Sequence, residues 1–285
     1  MSLKTVRQKF HDRLDPIYGI NEVSALFDLC CEQYLSLNKV DQLISIDRIL
    51  SSAEIDKLDH VIGKLEIHRP IQYEIGHAYF YGLTLIVNES VLIPRQETEE
   101  LVSWVLEDYP LNTQLSLLDL CTGSGCIALA IKSSRPNFRV IGADISEAAL
   151  IVANKNASRH ALDVTFKNQD VLSLDFSDHE LYDVIVSNPP YVLELEKSLM
   201  GNNVLNFEPH IALFVPNDNP LLFYLSIATY ASKALKVGGA LYFEINEKQG
   251  TEMIAMLENI GFDGVVLKKD LNGKHRIIKC LKRNA

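Results

Sequence analysis

The stretch Leu115-Ser116-Leu117-Leu118-Asp119-Leu120-Cys121-Thr122-Gly123-Ser124-Gly125-Cys126-Ile127-Ala128 decides the fold. A mostly apolar run gives way to small residues and then to the start of a helix. Such a run reads as a strand buried on both faces, as in a parallel sheet. The small residues fall where the backbone must turn sharply and approach a ligand. Nineteen residues beyond Gly125, Asp144 closes the next apolar segment, where a carboxylate can accept hydrogen bonds from both hydroxyls of a ribose. Taken alone, Gly123-x-Gly125-x-x-Ala128 also satisfies a dinucleotide fingerprint, and glycines often serve only strand-to-helix packing.

Working outward, short apolar strands at 115–121, 138–144, 164–169, 182–187 and 239–246 alternate with helices near 126–134, 146–161, 220–236 and 249–260. The chain closes with strands 264–270 and 275–281 joined at Asn272-Gly273, a strong hairpin signal. This predicts an α/β, Rossmann-like doubly wound sheet with a C-terminal antiparallel hairpin. Upstream, Glu97 to Asp108 reads as an amphipathic helix with Leu101, Val102, Val105 and Leu106 inward. Tyr79 to Val87, bending at Gly82, and Val91-Leu92-Ile93, closed by Pro94, read as a hairpin. Before it, Val23, Leu26, Phe27, Cys30, Cys31 and Tyr34 recur at helical spacing, and Ser51-Ser52-Ala53-Glu54 signals a helix start. The expected domains are a small helical one over 1–75, a hairpin linker over 76–94 and the α/β domain over 95–285.

The formal charge of −10 argues against a surface that embraces a nucleic-acid backbone. The basic tail from Lys268-Lys269 to Lys282-Arg283 reads rather as protection of a sheet edge. Five cysteines without a C-x-x-C pair support neither a disulfide framework nor a zinc site, so no metal is expected. No run is long enough to span a membrane and the start lacks the apolar stretch of a signal peptide. A cytoplasmic monomer is the default expectation, with no membrane partner and no direct nucleic-acid partner.

Two details tilt the ligand toward S-adenosylmethionine. Asp119 sits just before the loop, where a carboxylate can meet an ammonium group or instead tie the loop down. Nothing resembles a nicotinamide-side catalytic set. Asp170 and Val171 lie where an adenine would be flanked, though Asp170 also suits a cap on the following turn.

The fourth strand ends in Asn188-Pro189-Pro190-Tyr191, at the same carboxyl edge of the sheet. Residues before proline are driven to extended conformations and each proline lacks an N–H, so the turn is stiff and leaves carbonyl oxygens without local partners. A carboxamide or aromatic amino nitrogen is a poor nucleophile because its lone pair is delocalised. The Asn188 side-chain oxygen and the Pro189 carbonyl, as fixed acceptors, can take both N–H groups, aim the nitrogen at a sulfonium methyl and stabilise growing positive charge. Tyr191 offers a ring to pack over the planar group or a hydroxyl to donate. An isolated Asn-Pro turn would only end a strand. Here it follows a glycine loop and a ribose-type acid in the right order.

With these residues in place, the sequence resembles the HemK/PrmC family, glutamine methyltransferases that modify peptide chain release factors. The resemblance also runs through Arg69-Pro70-Ile71-Gln72-Tyr73, Leu92 to Val102, Phe207-Glu208-Pro209-His210-Ile211-Ala212-Leu213 and Asp270 to Arg276. It implies a helical domain that docks the release factor and a class I S-adenosylmethionine methyltransferase domain acting on the glutamine of a Gly-Gly-Gln loop. The product is S-adenosylhomocysteine. The resemblance implies that Cys121, Thr122, Gly123, Ser124, Gly125 and Asp144 hold the cofactor, that Val171 lies by the adenine, and that Asn188 touches both ligands. Two positions depart from the pattern: Cys121 replaces the usual first glycine, and Gln96 replaces a proline. The first also occurs in related enzymes acting on a ribosomal protein, which keeps that substrate as an alternative. Adenine methylation of DNA ranks lower for want of a basic domain to flip a base. A non-catalytic cofactor-binding module ranks lower because the acceptor loop is intact.

Overall fold

The computed structural model describes residues 1–174 and 181–283. Five helices come first, α1 (Leu3–Tyr18), α2 (Ile20–Leu35), α3 (Lys39–Ile44), α4 (Ser52–Glu66) and α5 (Ile71–Ile75), then the strands β1 (His77–Phe80) and β2 (Leu83–Ile86). After α6 (Gln96–Asp108) the alternation begins: β3 (Ser116–Leu120), α7 (Cys126–Ser134), β4 (Arg139–Asp144), α8 (Glu147–Arg159), β5 (Val164–Asn168) and β6 (Tyr182–Ser187). Short strands β7 (Val192–Leu193) and β8 (Phe214–Val215) flank α9 (Asn202–Phe207), and the chain ends with α10 (Leu222–Ala234), β9 (Leu235–Glu244), α11 (Gly250–Ile260), β10 (Phe262–Lys269) and β11 (His275–Lys282).

The chain forms two units, one of Met1–Gly76 with Gly201–Phe207, the other of His77–Met200 with Glu208–Ala285. In the first, α1, α2 and α4 turn apolar stripes onto one another, and Phe10 meets Phe27 edge-to-face at 5.1 Å. The Ser51 hydroxyl accepts the Glu54 N–H while the Glu54 carboxylate accepts the Ser51 N–H, a capping box that starts α4 where the sequence signalled it. The α9 segment belongs to this unit, with Arg69 5.8 Å over the Phe207 ring. Nothing in the sequence pattern announced that excursion from the α/β region.

In the second unit the strand order is β10-β11-β9-β6-β3-β4-β5, with β11 antiparallel to both neighbours and the other pairs parallel. Alternate side chains serve the two faces: Leu118, Leu120, Ile185 and Phe243 pack on one side, Leu117, Val184, Val186 and Tyr242 on the other. From β3 the chain passes to β4 on one side and from its neighbour β6 to β9 on the other, so the two connections leave in opposite directions and open a crevice at the carboxyl ends of β3 and β6.

The hairpin before α6 differs from expectation. It closes at Tyr81-Gly82, both at positive φ (47° and 78°), so Leu83–Ile86 is the returning strand and Val91-Leu92-Ile93 is not a strand at all. Asn88 instead turns the chain again, its carbonyl accepting the Val91 N–H and its side chain the Ser90 N–H. Phe80, Leu83 and Leu85 join the core shared with α6 and α7, so the hairpin is part of the second unit rather than a spacer. No described helix is long and apolar enough to cross a membrane.

Candidate active site

A cavity lies at the carboxyl edge of the sheet, lined by the loop after β3, the ends of β4 and β5, the loop after β6 and the segment leading into α6. Its floor is the glycine loop. Cys121, Gly123 and Gly125 all have positive φ (61°, 56° and 80°), so three left-handed residues fold the loop tightly over the start of α7. The cysteine at the first of these sits where glycine carries no penalty and an L side chain costs about 1–2 kcal/mol.

Asp119 holds this loop from beneath. Fully buried, it accepts the Thr122 hydroxyl at 2.6 Å and the Ala128 N–H at 3.2 Å on one oxygen. These two bonds tie the loop down, Asp119 is not among the cavity-lining residues, and its other oxygen is buried with no hydrogen-bond partner among the described residues. Burial raises its carboxyl to about 7, with the Thr122 hydroxyl and Ala128 N–H working against that. Asn156, also fully buried, clamps the loop from α8: its amide donates to the Ser124 carbonyl and bonds both backbone groups of Ile86.

Asp144 does line the cavity. One carboxylate oxygen accepts the Gly123 N–H at 2.8 Å and the other the Ser146 N–H at 2.9 Å. Each oxygen has two acceptor sites, so both keep capacity for a diol. Burial raises its pKa, opposed by those backbone donors. Asp170 and Val171 reach the same cavity. One Asp170 oxygen accepts the Leu172 N–H at 2.8 Å and so caps the short helical turn Val171–Ser173, the other sequence reading of that residue. Val171 is buried, and Leu172 and Phe223 add apolar wall.

This donor set fits S-adenosylmethionine: a two-oxygen acceptor for the ribose, an apolar slot of Val171, Leu172 and Phe223 for a planar base, and a glycine floor. Ser124 supplies a further buried, cavity-lining hydroxyl.

Asn188 and Pro190 line the cavity; Pro189 and Tyr191 do not. The Asn188 amide nitrogen donates to the Thr98 hydroxyl at 3.3 Å, and that hydroxyl donates to Glu244 at 2.6 Å. Tyr191 donates its hydroxyl to the other Glu244 oxygen at 2.9 Å, so this group is engaged inside the protein rather than offered to a substrate. Burial holds the tyrosine proton on and also raises the Glu244 carboxyl, the latter opposed by both hydroxyls and by the Arg276 charge. Among the described residues no protein donor bonds the Asn188 side-chain oxygen or the Pro189 carbonyl.

Sequence reasoning gave no role to Thr98, Glu244, Asn156 or Arg95. Arg95 lines the cavity and pairs at 2.6 Å with buried Glu208, which also accepts the Ile93 N–H at 3.2 Å. Glu208 therefore holds the segment before α6. The position of Glu244 at the carboxyl end of a parallel strand was the one available signal for it.

The family model described as methyltransferase small domain matches residues 98–206. A release factor glutamine methyltransferase of Flavobacterium psychrophilum is 41% identical over 98% of this chain and 99% of its own length. One from Bacteroides thetaiotaomicron is 44% identical, covering 96% of each chain. Among solved structures, a methyltransferase from Pyrococcus furiosus superposes with a TM-score of 0.54 at 17% identity over 71% of this chain and 90% of that one. The T. thermophilus 16S rRNA N2 G1207 methyltransferase in complex with AdoMet and guanosine does so at 0.53 and 18% identity, over 73% of this chain and 50% of that one. At such identities the likeness speaks to fold alone.

Proposed function

The chain belongs to the release factor glutamine methyltransferase family, and from that premise we propose that its crevice transfers a methyl group from S-adenosylmethionine to the side-chain amide nitrogen of a release factor glutamine, in a Gly-Gly-Gln loop. The observation that carries the residue assignment is the orientation of Asn188: its amide nitrogen is engaged by Thr98, so its oxygen is the acceptor left for an incoming N–H.

S-adenosylmethionine supplies an electrophilic sulfonium methyl and leaves as S-adenosylhomocysteine. Asp144 would hold the ribose, the Cys121-to-Gly125 loop would run beneath the cofactor, and Val171 would lie by the adenine. The protein's remaining task is to make a carboxamide nitrogen reactive, although resonance ties up its lone pair. The Asn188 side-chain oxygen takes one N–H from the cavity, and the Pro189 carbonyl, beside the cavity lining and bonded by no described donor, takes the other, fixing the plane of the amide. Both dipoles point at the nitrogen on which positive charge develops, so they stabilise the transition state more than the ground state. The extra proton on the methylated nitrogen passes to water only after transfer, so no strong base is required.

Incubating the protein with purified release factor, a ribosomal protein and labelled S-adenosylmethionine, followed by fragment mass spectrometry, tests this reading. One added methyl on the release factor glutamine supports it; label only on the ribosomal protein contradicts the substrate.

A further inference from the structure

We propose that Glu244, acting through Thr98, sets which way the Asn188 carboxamide faces and is thereby a positioning residue for methyl transfer; this rests on the acceptor role given to Asn188. An asparagine side chain is nearly symmetric in shape, so its neighbours decide which end is oxygen and which nitrogen. The neighbour here is a hydroxyl with one proton. Thr98, in the first turn of α6, lies 2.6 Å from a Glu244 oxygen, and both residues are buried. Against its burial, two hydroxyl donors and the Arg276 charge favour Glu244 as a carboxylate, which only accepts, so the Thr98 proton points at Glu244. Toward Asn188 the Thr98 oxygen is then an acceptor, and the group it meets at 3.3 Å is the amide nitrogen. The Asn188 oxygen is thereby turned away from Thr98.

With the carboxamide flipped, the Asn188 N–H2 would confront the substrate N–H2, donor against donor, and one of the two acceptors would be lost. The second Glu244 oxygen bonds the Tyr191 hydroxyl at 2.9 Å, three residues beyond Asn188. One buried carboxylate thus braces both ends of the Asn188–Tyr191 turn. Arg276, whose charge acts on Glu244, is held by Asp270 at 3.2 Å and by the Ile245 carbonyl at 3.2 Å.

Thr98→Val keeps the volume and removes the hydroxyl. We expect kcat to fall about 10- to 100-fold, with calorimetric affinity for S-adenosylmethionine changed by less than about twofold. Thr98→Ser should restore most of the rate. In a double-mutant cycle, Thr98→Val placed on Asn188→Ala should cost nothing further, because the group it orients is gone. If Thr98→Val does not fold, Glu244→Gln, which lets an amide donate toward Thr98, supplies the same rate comparison. Wild-type kcat in Thr98→Val, or an equal additional loss on the Asn188→Ala background, overturns the inference while leaving the role of Asn188 intact. Wild-type turnover by Asn188→Ala alone would instead remove the reading on which it rests.

Discussion

The loop after β3 and the loop after β6 sit side by side at the same sheet edge yet are held in opposite ways. The first is fixed by near neighbours: Asp119 bonds Thr122, three residues on, Asp144 bonds Gly123, and Asn156 bonds Ser124. The second is fixed from afar, since Asn188 reaches Thr98 across 90 positions and Thr98 reaches Glu244 across 146. A cofactor floor can therefore be encoded within the consecutive β3–α7–β4–α8 passage, while the acceptor that touches the substrate takes its orientation from the assembled sheet.

If that division is right, damage to the floor should appear in cofactor affinity and local stability. Asp144→Ala should have the largest effect of the floor variants, weakening S-adenosylmethionine about 10- to 100-fold, the value of a lost hydrogen bond to a charged group. Unchanged affinity by calorimetry would break the ribose assignment. Gly142→Ala comes next. A Cβ there would meet the Phe166 ring at 2.7 Å and the Thr122 hydroxyl at 2.8 Å, so β4 and the loop must shift. We expect a loss of about 1–3 kcal/mol in urea unfolding, with kcat retained at saturating cofactor; a selective loss of kcat would mean that the floor also aims the acceptor.

The smallest effect concerns pH. The raised carboxyl of Asp119, at about 7, means the folded state binds a proton more tightly than the unfolded chain. Its stabilising contribution is complete below the ordinary carboxylate range and is lost as pH rises toward 7. The unfolding free energy of the wild type relative to Asp119→Asn should therefore fall between pH 5 and 7, by at most about 1.4 kcal/mol per unit. A flat difference would show that Asp119 is already ionised at pH 5.

The same contrast explains what the sequence made legible. The alternation from β3 to β6, the glycine loop, Asp144 and the capping box at Ser51 are visible because each is written in periodicity or fixed spacing along one continuous passage of chain. α7 begins and ends at Cys126 and Ser134, as the pattern indicated. β9 starts at Leu235, four residues before the expected 239, because its pairing with β6 shifts register there and carries the chain through Gly238-Gly239. The positive φ of Tyr81 ends β1 early, and an aromatic residue gives no warning of that conformation. Thr98 stood inside a quoted motif, yet its partner lies on a strand that only tertiary folding brings near. Asp119 shows the converse: its place beside the loop was plain, but whether it faced the cavity or the core depended on packing.

The most direct test of the account is single-turnover methyl transfer to a release factor by Asn188→Ala at saturating S-adenosylmethionine, with cofactor binding measured on the same preparation. Loss of one fixed transition-state contact should slow the chemical step about 100- to 1,000-fold while cofactor affinity and thermal stability stay close to wild type. A wild-type single-turnover rate, or a loss traced wholly to cofactor binding, would contradict the assignment of Asn188 as the acceptor that orients the glutamine amide.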